Sequence, residues 1–204
     1  MGHQCHYHRR KQRQKAACAI CLFVTILLII LLLILYFAVF KPKDPSVRVP
    51  LMQMAFYQAQ GLPPSVTTIS FGLNLQVTIY NPNRGTFYME GTSTASLYYG
   101  NAQLGLTILP NNTHIPSQSS LIYGVSLPMQ RPILVNLTGL YSASNTIVPL
   151  PTSSIITVFG HVTTAGSFTR HSSVASVCNI TIGLASSTGS ILSYSCKKSY
   201  SIED

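Results

Sequence analysis

Carboxylates are scarce in this chain: four Asp and Glu stand among 204 residues, against 13 Lys and Arg. Beyond Val49 only Glu90, Glu203 and Asp204 remain, two of them at the chain end, where order is least expected. A paired-carboxylate glycosidase would have to recruit a terminal residue, and a Ser-His-Asp triad has only Asp204 for its acid. No Gly-x-Ser-x-Gly elbow and no phosphate-cradling glycine loop is present. The expectation is a non-enzymatic protein with no catalytic residue, cofactor or resident metal.

Charge, Gly and Pro are missing altogether from residues 16–40, whose centre is the aliphatic run Leu27–Leu35. A hydrocarbon core of about 30 Å needs about 20 apolar helical residues, so this segment is long enough to span with some tilt. It ends in Tyr36-Phe37-Ala38-Val39-Phe40-Lys41-Pro42, with bulky side chains where a signal peptidase needs small ones. The reading is an uncleaved signal anchor, integral to a lipid bilayer.

The flanks set its direction. Arg9, Arg10, Lys11, Arg13 and Lys15 precede the span with no acid, whereas Lys41, Lys43 and Arg48 follow it with Asp44. The positive-inside rule puts residues 1–15 in the cytosol as a flexible basic tail. Eight of the 13 basic residues lie in positions 1–48, so the net charge of +9 is a topology determinant and no nucleic-acid partner is expected. The rest is Ser/Thr-rich, apolar and nearly uncharged, which argues against disorder, and its length of about 155 residues suffices for one domain, not two. Residues 41–60 read as a juxtamembrane spacer, helical in part or simply extended, and 61–204 as the domain.

Within that domain the clearest pattern is Thr68–Tyr80. Ile69, Phe71, Leu73, Leu75, Val77 and Ile79 alternate with polar or small residues, the period of a half-buried strand. Asn81-Pro82-Asn83 halts it. Further strands are expected near 89–99, 103–109, 121–127, 133–139, 155–162, 174–184 and 191–196. Turn-rich pieces separate them, such as Pro110-Asn111-Asn112 and Pro149-Leu150-Pro151-Thr152-Ser153-Ser154. This punctuation suggests an antiparallel sandwich or barrel.

Three glycosylation sequons, at Asn111, Asn136 and Asn179, all follow the anchor, as a secretory-pathway ectodomain requires. Alternation turns Asn179 outwards and Cys178 inwards. Cys178 and Cys196 flank Ser187 symmetrically, so a hairpin centred there sets them opposite each other within reach of a disulfide. Cys18 and Cys21 lie at the inner edge of the span, positions suited to S-palmitoylation. His3, Cys5, His6 and His8 are dense enough to consider metal, but in a flexible tail they make no site. His114, His161 and His171 would give a three-histidine set only if the fold united them. With His161 on a strand and the others in loops, they read as solvent-facing.

The basic tail, the single anchor, the Gly61-Leu62-Pro63-Pro64 approach, the long alternating strand ending in Asn81-Pro82-Asn83 and the late Cys178…Cys196 pair together resemble a known family. They look like the plant late embryogenesis abundant subgroup-two membrane proteins, also called harpin-induced-like or non-race-specific disease resistance-like. The resemblance covers nearly the whole chain and carries a water stress and hypersensitive response domain. It implies an immunoglobulin/fibronectin-III-like antiparallel β-sandwich, plasma-membrane residence and a role in defence or abiotic stress, and it supplies no catalytic residues. The segment Arg84–Glu90 departs from it, having no Asp after the aromatics. A protein or cell-wall partner is then expected for the sandwich. A lipid-handling protein whose interior accepts an acyl chain is the competing expectation.

Overall fold

The computed structural model describes residues 3–40, 43–60, 67–91, 93–135, 147–164, 168–185, 188–197 and 200–201. The chain forms two compact units, Met1–Lys41 and Pro42–Asp204.

The first unit is one helix, α1, His3–Phe40. No Gly or Pro interrupts it, and it ends ahead of Pro42, which disfavours the α conformation in the residue before it. Its stretch Cys18–Tyr36 has a mean hydropathy of 3.5 with none of it buried against protein, a candidate membrane span by length and composition. Nineteen residues at 1.5 Å each cover about 28 Å, close to the hydrocarbon thickness. The basic tail is not a separate flexible segment. From His3 onwards it continues the same helix, as its run of Arg, Lys, Gln and Ala favours.

The second unit is antiparallel β. Its strands are β1 (Ser46–Gln60), β2 (Thr67–Tyr80), β3 (Thr86–Met89), β4 (Thr94–Tyr99), β5 (Ala102–Ile108), β6 (His114–Ile115), β7 (Ser120–Pro128), β8 (Ile133–Val135), β9 (Val148–Thr164), β10 (Phe168–Leu184), β11 (Gly189–Cys196) and β12 (Tyr200–Ser201). Among the described residues they make two sheets in a sandwich-like arrangement. The smaller has the order β1-β2-β7, with β8 also on β2. The larger runs β11-β10-β9-β3-β6, with β4 bridging β9 and β5, and β12 on β10.

Three expectations change here. Residues 46–60 are no spacer: they are the first strand, paired with β2 along its whole length. The segment 149–154 is part of β9, not a turn. At Pro149 and Pro151 that strand pairs with β10 alone, and an open edge is where a strand tolerates proline. The single strand expected over 89–99 is two, broken by a turn at Gly91.

The alternation in β2 works as read. Ile69, Phe71, Leu73, Leu75, Val77 and Ile79 are each at most 1% exposed and face Val158, Ile156, Val174, Ile180 and Ile182 of the larger sheet's inner side within one buried cluster. Burying each such side chain contributes about 1.5–3 kcal/mol, so β2 is the centre of the core. Gly105 of β5 packs against the Pro128 carbonyl of β7, where a β-carbon would not fit. At the opposite seam Tyr57 donates to the Ala185 carbonyl (3.1 Å) and Tyr194 to that of Pro50 (2.9 Å). Tyr123 turns its hydroxyl inwards with no partner among the described residues, and burial pushes its pKa above the ordinary phenol range.

Asn81-Pro82-Asn83 is more than a stop. The Asn81 side chain is fully buried, and its Nδ2 faces the carbonyls of Gly85, Ile115 and Pro116 at 2.8, 3.1 and 3.1 Å. Its Oδ1 accepts from the Asn83 backbone N–H and from Asn83 Nδ2. Asn83 in turn holds the Lys43 peptide at both ends: its Oδ1 accepts from the N–H and its Nδ2 donates to the carbonyl, each at 2.6 Å. Two amide side chains thus replace a strand's backbone and fasten the first residues of the domain.

Candidate functional site

The three histidines beyond the anchor fall in one row of the larger sheet. Tyr88 of β3 pairs with His114 of β6 on one side and His161 of β9 on the other, and His161 pairs with His171 of β10. Register therefore aligns His114, Tyr88, His161 and His171 as one row across four adjacent strands. Their inward neighbours Ile115, Phe87 and Val162 are buried, so the row lies on the outer face of the larger sheet.

Glu90 completes the arrangement. It stands two residues after Tyr88, hence on the same face, and its Oε1 lies 3.1 Å from His171 Nδ1 and 3.4 Å from His161 Nδ1. The carboxylate is half-buried, as is His161, whereas the His171 side chain is 77% exposed. One ligand atom from each of Glu90, His161 and His171 falls within 4.8 Å of the other two. Tyr88 stacks on the His161 ring (centroids 5.3 Å apart, planes 18° apart), which fixes that imidazole's plane. The His161 and His171 rings are 5.7 Å apart.

The backbone beneath is tightly satisfied. β9 passes from partner β3 to partner β4 at Phe159. The Phe159 carbonyl accepts from the Glu90 N–H (2.9 Å), and its N–H donates to the hydroxyl of fully buried Ser93 (2.9 Å). Gly160 lets the Tyr88 carbonyl and the Phe87 ring approach closer than a β-carbon would permit. The Glu90 backbone is thus anchored to β9 by the same bonds that close the strand break. Next to His171, the Ser172 hydroxyl donates to Asp44 Oδ1 (2.9 Å), binding the start of the domain to β10.

The three-histidine set does not assemble. His114 sits beyond Tyr88, their rings 6.4 Å apart, and Glu90 takes the third place instead. Nor are His114 and His171 in loops; both are strand residues. Glu90 was visible as the one carboxylate in the body of the domain. Its partners, 71 and 81 residues away, depend on the β3–β9–β10 order, which local pattern does not encode.

Cys178 and Cys196 are register partners joined by a disulfide. Asn179 is exposed on β10 beside Cys178, and Asn111 is exposed in the bend before β6; Asn136 lies outside the described residues. Cys18 and Cys21 are exposed free thiols on α1. His3, Cys5, His6 and His8 fall within α1, where side chains are outside the described part. Neither a protein-family model nor a curated protein sequence matches this chain.

Proposed function

We propose that this chain is a non-enzymatic, single-pass plasma-membrane protein that displays its β-sandwich on the extracellular side, in the manner of the late embryogenesis abundant subgroup-two proteins. It acts there in plant defence or abiotic stress by contacting another protein or cell-wall material. The observation that carries the reading is the order of parts: a helix of spanning length, then a domain stapled by a disulfide, a bond that persists in oxidising compartments. Exposed sequon asparagines at Asn111 and Asn179 and the basic residues before the span support the same orientation, with glycans on Asn111, Asn136 and Asn179. Cys18 and Cys21, exposed on the helix, are positioned for palmitoylation on the cytosolic leaflet. The continuous buried cluster between the sheets supports a recognition module over a lipid carrier.

Proximity labelling from a peroxidase fused after Asp204, in plant cells given an elicitor or a water deficit, tests this. The expected tagged set is secreted and cell-wall proteins, and it changes with at least one treatment. A cytosolic set, or one indifferent to both treatments, contradicts the proposal.

A further inference from the structure

We propose that Glu90, His161 and His171 form a divalent transition-metal site on the outer face of the larger sheet, suited to zinc. The donor chemistry is the first argument. Two imidazoles and one carboxylate are ligands that zinc accepts, at about 2.0–2.2 Å, and a tetrahedral centre then separates its ligand atoms by about 3.3–3.5 Å. Of the three separations, 3.4 Å is already at that spacing and 3.1 Å is about 0.2 Å short of it. The third is within 4.8 Å, and closing it takes a displacement of at most about 1.5 Å by His171, whose ring is exposed.

Preorganisation is the second argument. The His161 ring is held by the Tyr88 stack, and the Glu90 backbone is held by its bonds to the Phe159 carbonyl and the Ser93 N–H, so one ligand ring and the base of a second are placed before a metal arrives. Two of the ligands, His161 and His171, stand on directly paired strands, and Glu90 follows immediately on the end of β3. Three protein ligands leave a fourth position for water or for a donor from another molecule, so the metal would join the sandwich to an imidazole- or carboxylate-bearing partner.

The test is titration of the purified full-length protein in nanodiscs with zinc chloride, followed by calorimetry, in a background carrying His3→Ala, Cys5→Ser, His6→Ala and His8→Ala to remove tail binding. The expected result is one zinc per chain and a raised thermal midpoint. His171→Ala and Glu90→Gln should each weaken binding at least tenfold, and His114→Ala should change it less than threefold. His171 is exposed enough that its variant keeps the fold, which an unchanged β-sheet circular dichroism spectrum verifies. Absence of stoichiometric binding, or His171→Ala binding like the parent, overturns the site and leaves a hydrogen-bonded Glu–His trio only.

Discussion

Asn81→Ala should destabilise the β-domain by about 4 kcal/mol, the largest effect expected of any single polar substitution in it. The side chain makes contacts that no other residue can replace: three carbonyls face its Nδ2, and its Oδ1 takes two donors from Asn83. A typical hydrogen bond contributes about 1 kcal/mol net, but each buried group left unpaired costs about 1–3 kcal/mol. Alanine strands several such groups at once and also frees Asn83, on which the Lys43 peptide depends. Asn81→Asp keeps the shape yet removes the donor and sets a carboxylate against three carbonyls, so it should be no better. Urea unfolding followed by tyrosine fluorescence measures the difference. A loss below 1 kcal/mol would mean that the buried amide is not the latch described.

The second large effect is expected at the disulfide. Cys178 and Cys196 close an 18-residue separation across the β10–β11 hairpin. In the chain-entropy account, a loop of this size stabilises by about 3 kcal/mol through constraint of the unfolded chain. The double variant Cys178→Ala, Cys196→Ala should therefore lower the unfolding free energy by about that amount. Because β11 is an edge strand of its sheet among the described residues, the loss should also appear as faster amide exchange there than in β2. An unchanged midpoint with uniform protection would show that the ladder alone holds the hairpin.

What was legible in the sequence, and what was not, follows from how regular each strand is. β2 alternates without a break because it pairs on both sides and buries one face throughout, so its six apolar residues are readable at sight. Its neighbour β1 carries register shifts between Arg48 and Leu51 and between Met54 and Phe56. Each shift reverses which parity faces inwards: Val47 and Val49, then Met52 and Met54, then Tyr57 and Ala59. A period of two is lost at every such bulge, and a strand passes for a spacer. The Cys178–Cys196 pairing was readable from the symmetry of the two cysteines about Ser187. The register beside the turn, however, pairs Leu184 with Gly189, and it is the bulge between Thr181 and Ile182 that shifts it by one residue and sets Cys178 opposite Cys196. The Glu90 site depends on strands distant in sequence, and only the chain's scarcity of carboxylates pointed to that residue.

The central claim, a β-sandwich held outside the cytosol by one spanning helix, is tested most directly by glycosylation of the full-length protein in plant microsomes. Treatment with peptide N-glycosidase should increase its gel mobility, and changing Asn111, Asn136 and Asn179 together to Gln should abolish the increase. A protein that migrates the same with and without the enzyme, and whose C-terminal domain is digested by protease added to sealed microsomes, would place the sandwich in the cytosol and contradict the account.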